Sequence, residues 1–332
     1  LNKGLLEGGA EINIIGVCPS PMLYYACKAL NCDGAIMITG SHNPANYNGF
    51  KILSRDQSYY GKKIINLANT KVPIKLKVLG NKKYYNISES YILELTKNLS
   101  KIKKDLRIIW DPANGATCEI LNRLIKIIPG HHIVINSNMD GTFPAHHPDP
   151  TVEKNLYDLK KMVIKEKADV GIAFDGDGDR IGIVNSEGEF IPGDQLLLLF
   201  SNDILKQNPK CSIISDVKAS DVLFREIKKM GGKPIMWKTG HSLIKEKMKE
   251  TGAVLAGEMS GHIFFSDRYY GYDDALYAAI RLLEILSKNK NIANTLLAFN
   301  KVYATPEIKV ECEDNLKFHI IKKSIKIIKN KY

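Results

Sequence analysis

The chain has 332 residues, 44% of them hydrophobic and 25% charged, with a formal net charge of +11. That length exceeds one ordinary core and predicts two to four globular domains, and no apolar run is long enough to cross a membrane. The basic excess lies in short lysine clusters such as Lys160-Lys161 and Lys228-Lys229, with no nucleic-acid motif and no interleaved aromatics, so no nucleic-acid partner is expected. A positive field also suits small anionic substrates, and the charge alone decides nothing. The opening residues LNKGLLEGGAEINIIGV lack a basic segment followed by a signal-type apolar run, so a cytoplasmic location is expected.

In chain order, strand-like runs alternate with helix-period segments, the pattern of α/β layers. Strands are predicted at 12–17 and 34–39 around a helix near 22–30, and the lysine-rich stretch 66–86 reads as a boundary. A second block has helices near 90–99, 117–128 and 154–165 and strands at 107–110, 133–135 and 170–174. The third block, after Gly193, has helices at 193–205, 222–230, 243–249 and 274–287, a shorter one near 293–299, and strands at 212–216, 235–237 and 254–256. The densest apolar run, Leu196 to Phe200, reads as a helix core.

Six scattered cysteines, Cys18, Cys27, Cys32, Cys118, Cys211 and Cys312, form no C-x-x-C pair and read as reduced, small apolar residues. The pairs His131-His132 and His146-His147 are poor zinc candidates, because neighbouring side chains diverge and no cysteine is near.

In each block a strand ends in a short polar, glycine-containing loop: TGSHNP, DGDGDR and GEMSGH. Ligands in α/β sheets collect at the carboxyl ends of strands, so the three loops are expected to face one cleft. The strongest signal is Phe174 to Arg180, FDGDGDR, in which single glycines let Asp175, Asp177 and Asp179 point toward one place. Carboxylates so close repel unless a cation lies between them, and oxygen-only ligation suits Mg²⁺. An EF-hand is excluded, since position six is Arg180 and position twelve is Ser186. A solvated acidic turn is the bland alternative, and the wholly apolar strand before it argues against one. A haloacid-dehalogenase-type phosphatase also sets Asp-x-Asp after an apolar strand.

Ser41 has no G-x-S-x-G context, and an isolated serine there would by default cap or turn the chain. Beside a metal loop it becomes a phosphoryl carrier, its phosphate reaching Mg²⁺ and Lys51 neutralising charge. In GEMSGH, Glu258 and Ser260 would face the same side of an extended loop and grip sugar hydroxyls.

Taken in order, TGSHNPANYNGFK, DGDGDR and GEMSGH resemble the α-D-phosphohexomutase superfamily, and within it the bacterial phosphomannomutase/phosphoglucomutase branch. The resemblance implies three tandem α/β domains with mixed sheets lining one cleft, at 1–87, 88–190 and 191–301, plus the start of a fourth at 302–332. It also implies reversible interconversion of hexose 1-phosphate and hexose 6-phosphate through a 1,6-bisphosphate. Ser41 would be the phosphoserine, binding Mg²⁺ with Asp175, Asp177 and Asp179 through its phosphoryl oxygen, and His42 and Lys51 would support transfer. Arg180 would hold substrate, Lys218 (in DVK) and His241 (in KTGHS) would join it, and Glu258, Ser260 and His262 would read the sugar. Lys51, His241 and His262 all remain possible general bases. Glucose 1,6-bisphosphate or mannose 1,6-bisphosphate would serve as activator, and a monomer acting on mannose and glucose phosphates, away from membranes, is implied.

The chain opens without Met on what reads as a helix tail, and the family's earlier strand, helix and arginine segment have no counterpart here. TPEIKVECEDN resembles the start of the fourth domain, whose phosphate-gripping loop is not reached. Leu316, Ile320, Ile327 and Ile328 mark one helix face; a basic membrane-binding tail is the other account of that segment. The expectation is a truncated mutase, a decayed gene product or excised fragment, that binds Mg²⁺ and sugar phosphate with impaired turnover.

Overall fold

The computed structural model describes residues 1–54, 57–70, 79–97, 99–103, 105–289, 291–292, 296, 310–313 and 315–331. They fall into two compact units, 1–300 and 301–332.

The first unit begins with α1 (Asn2–Glu7), β1 (Ile12–Ile14), α2 (Ser20–Ala29), β2 (Gly34–Ile38), β3 (Phe50–Ser54), β4 (Ser58–Tyr59), α3 (Lys62–Asn69) and β5 (Lys82–Tyr84). β2, β3 and β4 form an antiparallel sheet, and β1 pairs in parallel with β5. The lysine-rich stretch 66–86 is therefore not simply a boundary, because its end returns to pair with the first strand. All three β5 residues are exposed, so the strand carries no apolar signature.

Next come α4 (Ser88–Thr96), β6 (Arg107–Asp111), α5 (Cys118–Leu124), β7 (His131–Val134), α6 (Tyr157–Glu166), β8 (Val170–Phe174), β9 (Ile181–Asn185) and β10 (Phe190–Ile191). Their sheet has the order β10-β9-β8-β6-β7, with β6 parallel to β7 and β8 and with β9 antiparallel to β8 and β10. β8 is central and buried along its whole length, the usual reason for an unbroken apolar run. Gly171 lets α6 lie close on it, since a Cβ there would come 2.7 Å from Val163.

The sheet of the third block, β12-β11-β13-β14, is made from β11 (Ser212–Asp216), β12 (Lys233–Trp237), β13 (Leu255–Gly257) and β14 (Ile263–Phe265). Here too a parallel core carries one antiparallel edge, so the sheets of both blocks are mixed. Helices α7 (Gly193–Gln207), α8 (Asp221–Lys229), α9 (His241–Thr251) and α10 (Ala275–Leu286) cover it. Leu196 to Phe200 are buried in α7 as expected, and α10 is buried on almost every side.

The expected strands and helices of these blocks are present, with ends shifted by a few residues. β9 and β14 went unpredicted: a glycine interrupts the first, and the second has only three residues. Residues 293–295 and 297–300 are outside the described residues, and so is most of the short helix expected near 293–299. All six cysteines are free thiols, and burial pushes Cys18 and Cys118 up to about 12. His132 is engaged by Trp110 and the carbonyl of Ile128, and His146 lies 2.8 Å from Asp111, so both histidines are spent on the fold.

In the second unit the helix Lys317–Lys331 forms, and Ile320, Ile327 and Ile328 on it, with Leu316 just before it, are about half exposed. Among the described residues no helix is long and apolar enough to cross a membrane.

Asp274 ties the first unit's elements together from the start of α10. Its carboxylate caps the helix through Tyr277 N–H and accepts from the hydroxyls of Tyr91 in α4 (2.8 Å) and Tyr269 (2.7 Å). Burial outweighs these donors and pushes the carboxyl up to about 6. A carboxyl that holds its proton more tightly folded than unfolded contributes stability that is complete at low pH and is lost as pH rises. We expect this decline between roughly pH 4 and pH 6. Asp274→Asn should flatten that part of the urea-midpoint profile; an unchanged slope would assign the pH dependence to other groups.

Candidate active site

The acidic loop leaves the end of β8 and turns back at once. Gly178 has φ +73°, and Gly176 lies so close to the serine loop that a Cβ would come 2.4 Å from the Ser41 carbonyl oxygen. The loop is closed by its own first carboxylate: Asp175 Oδ1 accepts from the backbone N–H of Asp179 (3.0 Å) and of Arg180 (3.1 Å). Asp175, Asp177 and Asp179 are all buried, which rules out the solvated acidic turn.

Three buried carboxylates need compensation, and Lys51 on β3 supplies part of it. Its ammonium donates to Asp177 Oδ2 at 2.6 Å and also to Asp179 Oδ2. Burial works to raise Asp179, but Lys51 and then His262 hold it below the usual carboxylate range. Burial also works against the charge on Lys51, yet Asp179 and Asp177 raise it well above the ordinary lysine value. Asp175 gets the opposite result, pushed well up by burial and by the other two aspartates. Ser20, just inside α2, adds a hydrogen bond from its hydroxyl to Asp177 Oδ2 (2.5 Å).

The loop suits a hard cation. One ligand atom from each of Asp175, Asp177 and Asp179 lies within 4.8 Å of the others, and all are oxygens. Asp177 Oδ1 and Asp179 Oδ1 are buried without a hydrogen-bond partner among the described residues, so acceptor capacity is left to fill. A second cluster, Asp179, His262 and Asp273, mixes in an imidazole and suits Mg²⁺ less well.

Ser41 follows β2 with φ +52°, a left-handed conformation uncommon for a serine. Its N–H donates to Thr39 Oγ1 (2.8 Å), which fixes the turn. Its hydroxyl lies 3.2 Å from Asp175 Oδ2 and 3.3 Å from His42 Nδ1. The serine thus sits on a carboxylate 134 positions away in sequence. Burial and then Arg180 push His42 down, which favours a neutral imidazole beside the hydroxyl.

The third block closes the site. Gly261 is pressed against β9, where its carbonyl accepts from Ile181 N–H (3.0 Å) and a Cβ would come 2.7 Å from the Ile181 oxygen. Arg180 Nε donates to His262 Nε2 (3.2 Å), which leaves His262 Nδ1 facing the Asp179 carbonyl at 3.2 Å and Asp273 Oδ2 at 3.1 Å. Burial opposes charge on His262, but Asp179 and Asp273 raise it, while Arg180 works against them. His241 opens α9 and stacks on His262 with ring centroids 5.4 Å apart. Burial and then Lys245 push it down.

GEMSGH is not extended as expected. The N–H of Gly261 bonds to the Glu258 carbonyl (3.0 Å), making a turn, so the alternation placing Glu258 and Ser260 on one side does not hold. Glu258 is buried, with its carboxylate accepting from Gly240 N–H (2.5 Å) at the start of α9; Ser260 is partly exposed on the turn. Asp216 joins the same loops, accepting from Thr239 Oγ1 (2.9 Å) and Met259 N–H (3.2 Å). Lys218, two residues on, is exposed.

The structure thus brings together Ser41, His42, Lys51, Asp175, Asp177, Asp179, Arg180, His241 and His262, with Glu258 behind His241. It adds residues that the motifs did not nominate. Ser20 lies in an unmarked CPSP stretch. Asp273 precedes the helix-capping Asp274, and the pair in YDDA reads as a cap alone. Asp273 accepts from Lys245 (2.9 Å) and faces both His241 and His262. Lys245, His241 and His262 together hold it well below the usual carboxylate range against burial.

Three α/β domains that converge a serine, an acidic loop and a histidine-bearing loop define a phosphoryl-transfer type of site. The chain matches the family descriptions "Phosphoglucomutase/phosphomannomutase, alpha/beta/alpha domain I" at residues 1–71, domain II at 89–188 and domain III at 192–303. It is 44% identical to a phosphomannomutase/phosphoglucomutase of Pseudomonas putida, over 97% of this chain and 70% of that protein. It is 40% identical to a phosphoglucomutase of Neisseria meningitidis, over 96% of this chain and 70% of the relative. A crystal structure of a phosphoglucomutase/phosphomannomutase family protein from Burkholderia thailandensis superposes with a TM-score of 0.84 at 39% identity, covering 91% of this chain and 68% of that one. The chain belongs to the phosphoglucomutase/phosphomannomutase family.

Lys51→Met would leave Asp177 and Asp179 buried without their cation, and breaking such a pair costs about 3–5 kcal/mol. The urea midpoint should fall strongly in chelator, and added Mg²⁺ should recover part of the loss. A variant as stable as the parent in chelator would show that the ammonium does not balance the loop.

Proposed function

We propose that the chain interconverts hexose 1-phosphates and hexose 6-phosphates, with Ser41 as the phosphoryl carrier. The observation that carries the reading is the Ser41 hydroxyl, held 3.2 Å from the first carboxylate of a buried acidic loop. The division of the chain at 1–87, 88–190, 191–301 and 302–332 is part of the same proposal.

The phosphorylated serine would give its group to the free hydroxyl of a hexose monophosphate. The P–O bond to Ser41 breaks, a P–O bond to the sugar forms, and the sugar hydroxyl gives up its proton. The resulting 1,6-bisphosphate turns over in the cleft and returns its other phosphate to Ser41, so either end is processed at one serine. Lys51, His241 and His262 surround the acidic loop; the two imidazoles are the groups able to take the proton, and Lys51, held as an ammonium by Asp177 and Asp179, is able only to return one. His42 stands beside the hydroxyl and supports transfer. Arg180 carries a fixed cation for the substrate phosphate, and Lys218 offers a second, exposed one. Glu258, Ser260 and His262 are the groups for sugar recognition; a buried Glu258 fixed on Gly240 acts with the loop rather than as a free gripping arm.

Mg²⁺ would be held by Asp175, Asp177 and Asp179 and by an oxygen of the seryl phosphate, where it neutralises negative charge on the phosphoryl group. Glucose 1,6-bisphosphate or mannose 1,6-bisphosphate would prime the serine. The small anionic substrate suits the basic chain, and a cytoplasmic monomer remains our expectation.

Mass spectrometry should find the phosphate on Ser41, and Ser41→Ala should remove turnover in a coupled assay primed with glucose 1,6-bisphosphate. The phosphoprotein should resist hydroxylamine. Release of phosphate by hydroxylamine would put it on an aspartate, as in a haloacid-dehalogenase-type phosphatase.

Side-by-side assays should show turnover of both glucose 1-phosphate and mannose 1-phosphate. Activity confined to glucosamine phosphate would overturn the sugar assignment.

A further inference from the structure

Ser20 stands at the start of α2, where a serine ordinarily caps its own helix. No side chain caps α2, and the Ser20 hydroxyl is turned instead to a residue 157 positions away. It donates to Asp177 Oδ2 at 2.5 Å and accepts from the Lys51 ammonium at 3.4 Å. The Ser20 N–H donates to the Asp177 carbonyl at 2.8 Å, so the two residues are joined by backbone and side chain together. Ser20 is fully buried.

We propose that Ser20 is a positioning residue for the divalent cation, holding the Asp177 carboxylate by Oδ2 so that Oδ1 is kept for the ion. The inference rests on the reading of Asp175, Asp177 and Asp179 as the Mg²⁺ loop.

The two oxygens of Asp177 are unequal. Oδ2 is taken by Ser20 and Lys51, whereas Oδ1 is buried with no hydrogen-bond partner among the described residues. Lys51 is a weak guide to the carboxylate's rotation, because an ammonium is a point charge with rotatable donors and this one also serves Asp179 Oδ2. The Ser20 hydroxyl has a helix behind it and supplies the direction that the ammonium lacks. Its mount is close-packed. A Cβ on Gly178 would come 3.1 Å from Pro19 and 2.3 Å from Thr117, so the acidic loop is wedged between the residue before Ser20 and the start of α5. Removing the outer hydrogen-bond partner of a metal ligand costs roughly 10- to 100-fold in metal affinity.

The test is Mg²⁺ titration of the 332-residue chain by calorimetry, with the parent, Ser20→Ala and Ser20→Thr. Ser20→Ala should weaken Mg²⁺ binding about tenfold, the lower end of that range. Ser20→Thr, which keeps the hydroxyl, should recover most of the loss. Both variants should keep a cooperative urea transition in chelator. In the primed coupled assay, the turnover that Ser20→Ala loses at low Mg²⁺ should return as Mg²⁺ is raised. A serine that only packs would lower the urea midpoint and leave Mg²⁺ affinity where it was. The proposal fails if Ser20→Ala binds Mg²⁺ as tightly as the parent, or if a folded Ser20→Thr binds no better than Ser20→Ala. A parent chain that binds no Mg²⁺ would overturn the reading of the loop itself, and this inference with it.

Discussion

The site depends on how three aspartates are kept buried on the one short loop between β8 and β9. Left alone, such carboxylates protonate or pull water inward. Here they are balanced unequally. Lys51 crosses from the first domain to hold Asp177 and Asp179, while Asp175 spends one oxygen on the loop's own backbone and offers the other to Ser41. One electrostatic requirement therefore fixes both the lysine strand and the serine loop on the acidic loop. A divalent cation would meet the same requirement from inside the loop, using the oxygens left without donors.

That constraint explains where the chain cannot accept side chains. Gly176 and Gly261 lie where loops of different domains touch backbone to backbone, at Ser41 and Ile181 respectively. Their role is close approach, so that groups from three sheets reach one place. Behind these contacts a second layer, Asp216, Glu258 and Asp273, ties the third domain's loops to one another and orients both imidazoles. Phosphoryl transfer requires positioning more than unusual reactivity, and a buried, cross-braced set of polar groups supplies it.

Much of this was legible in the sequence for physical reasons. Val170 to Phe174 is an apolar run because β8 is covered on both faces, and the polar, glycine-spaced DGDGDR after it can only be a loop at a strand end. The serine loop announced itself in the same way. What escaped notice had no pattern to show. β5 has exposed lysines and finds β1 only through backbone pairing. Alternation along an extended loop predicts Glu258 and Ser260 on one side, but a turn closed by a Glu258–Gly261 hydrogen bond has no period of two. Asp273 was hidden beside Asp274, which has a sufficient local explanation as a cap; only folding shows that its neighbour faces two histidines and a lysine.

In the proposed reaction Ser41 and the acidic loop act as one phosphoryl-transfer centre. The most direct test is a chase experiment on the chain carrying a radiolabelled phosphate. On adding glucose 1-phosphate with Mg²⁺, the label should leave the protein and be recovered in sugar phosphate, and chelator should stop the transfer. Label that stays on the protein, or that is released as inorganic phosphate, would contradict it.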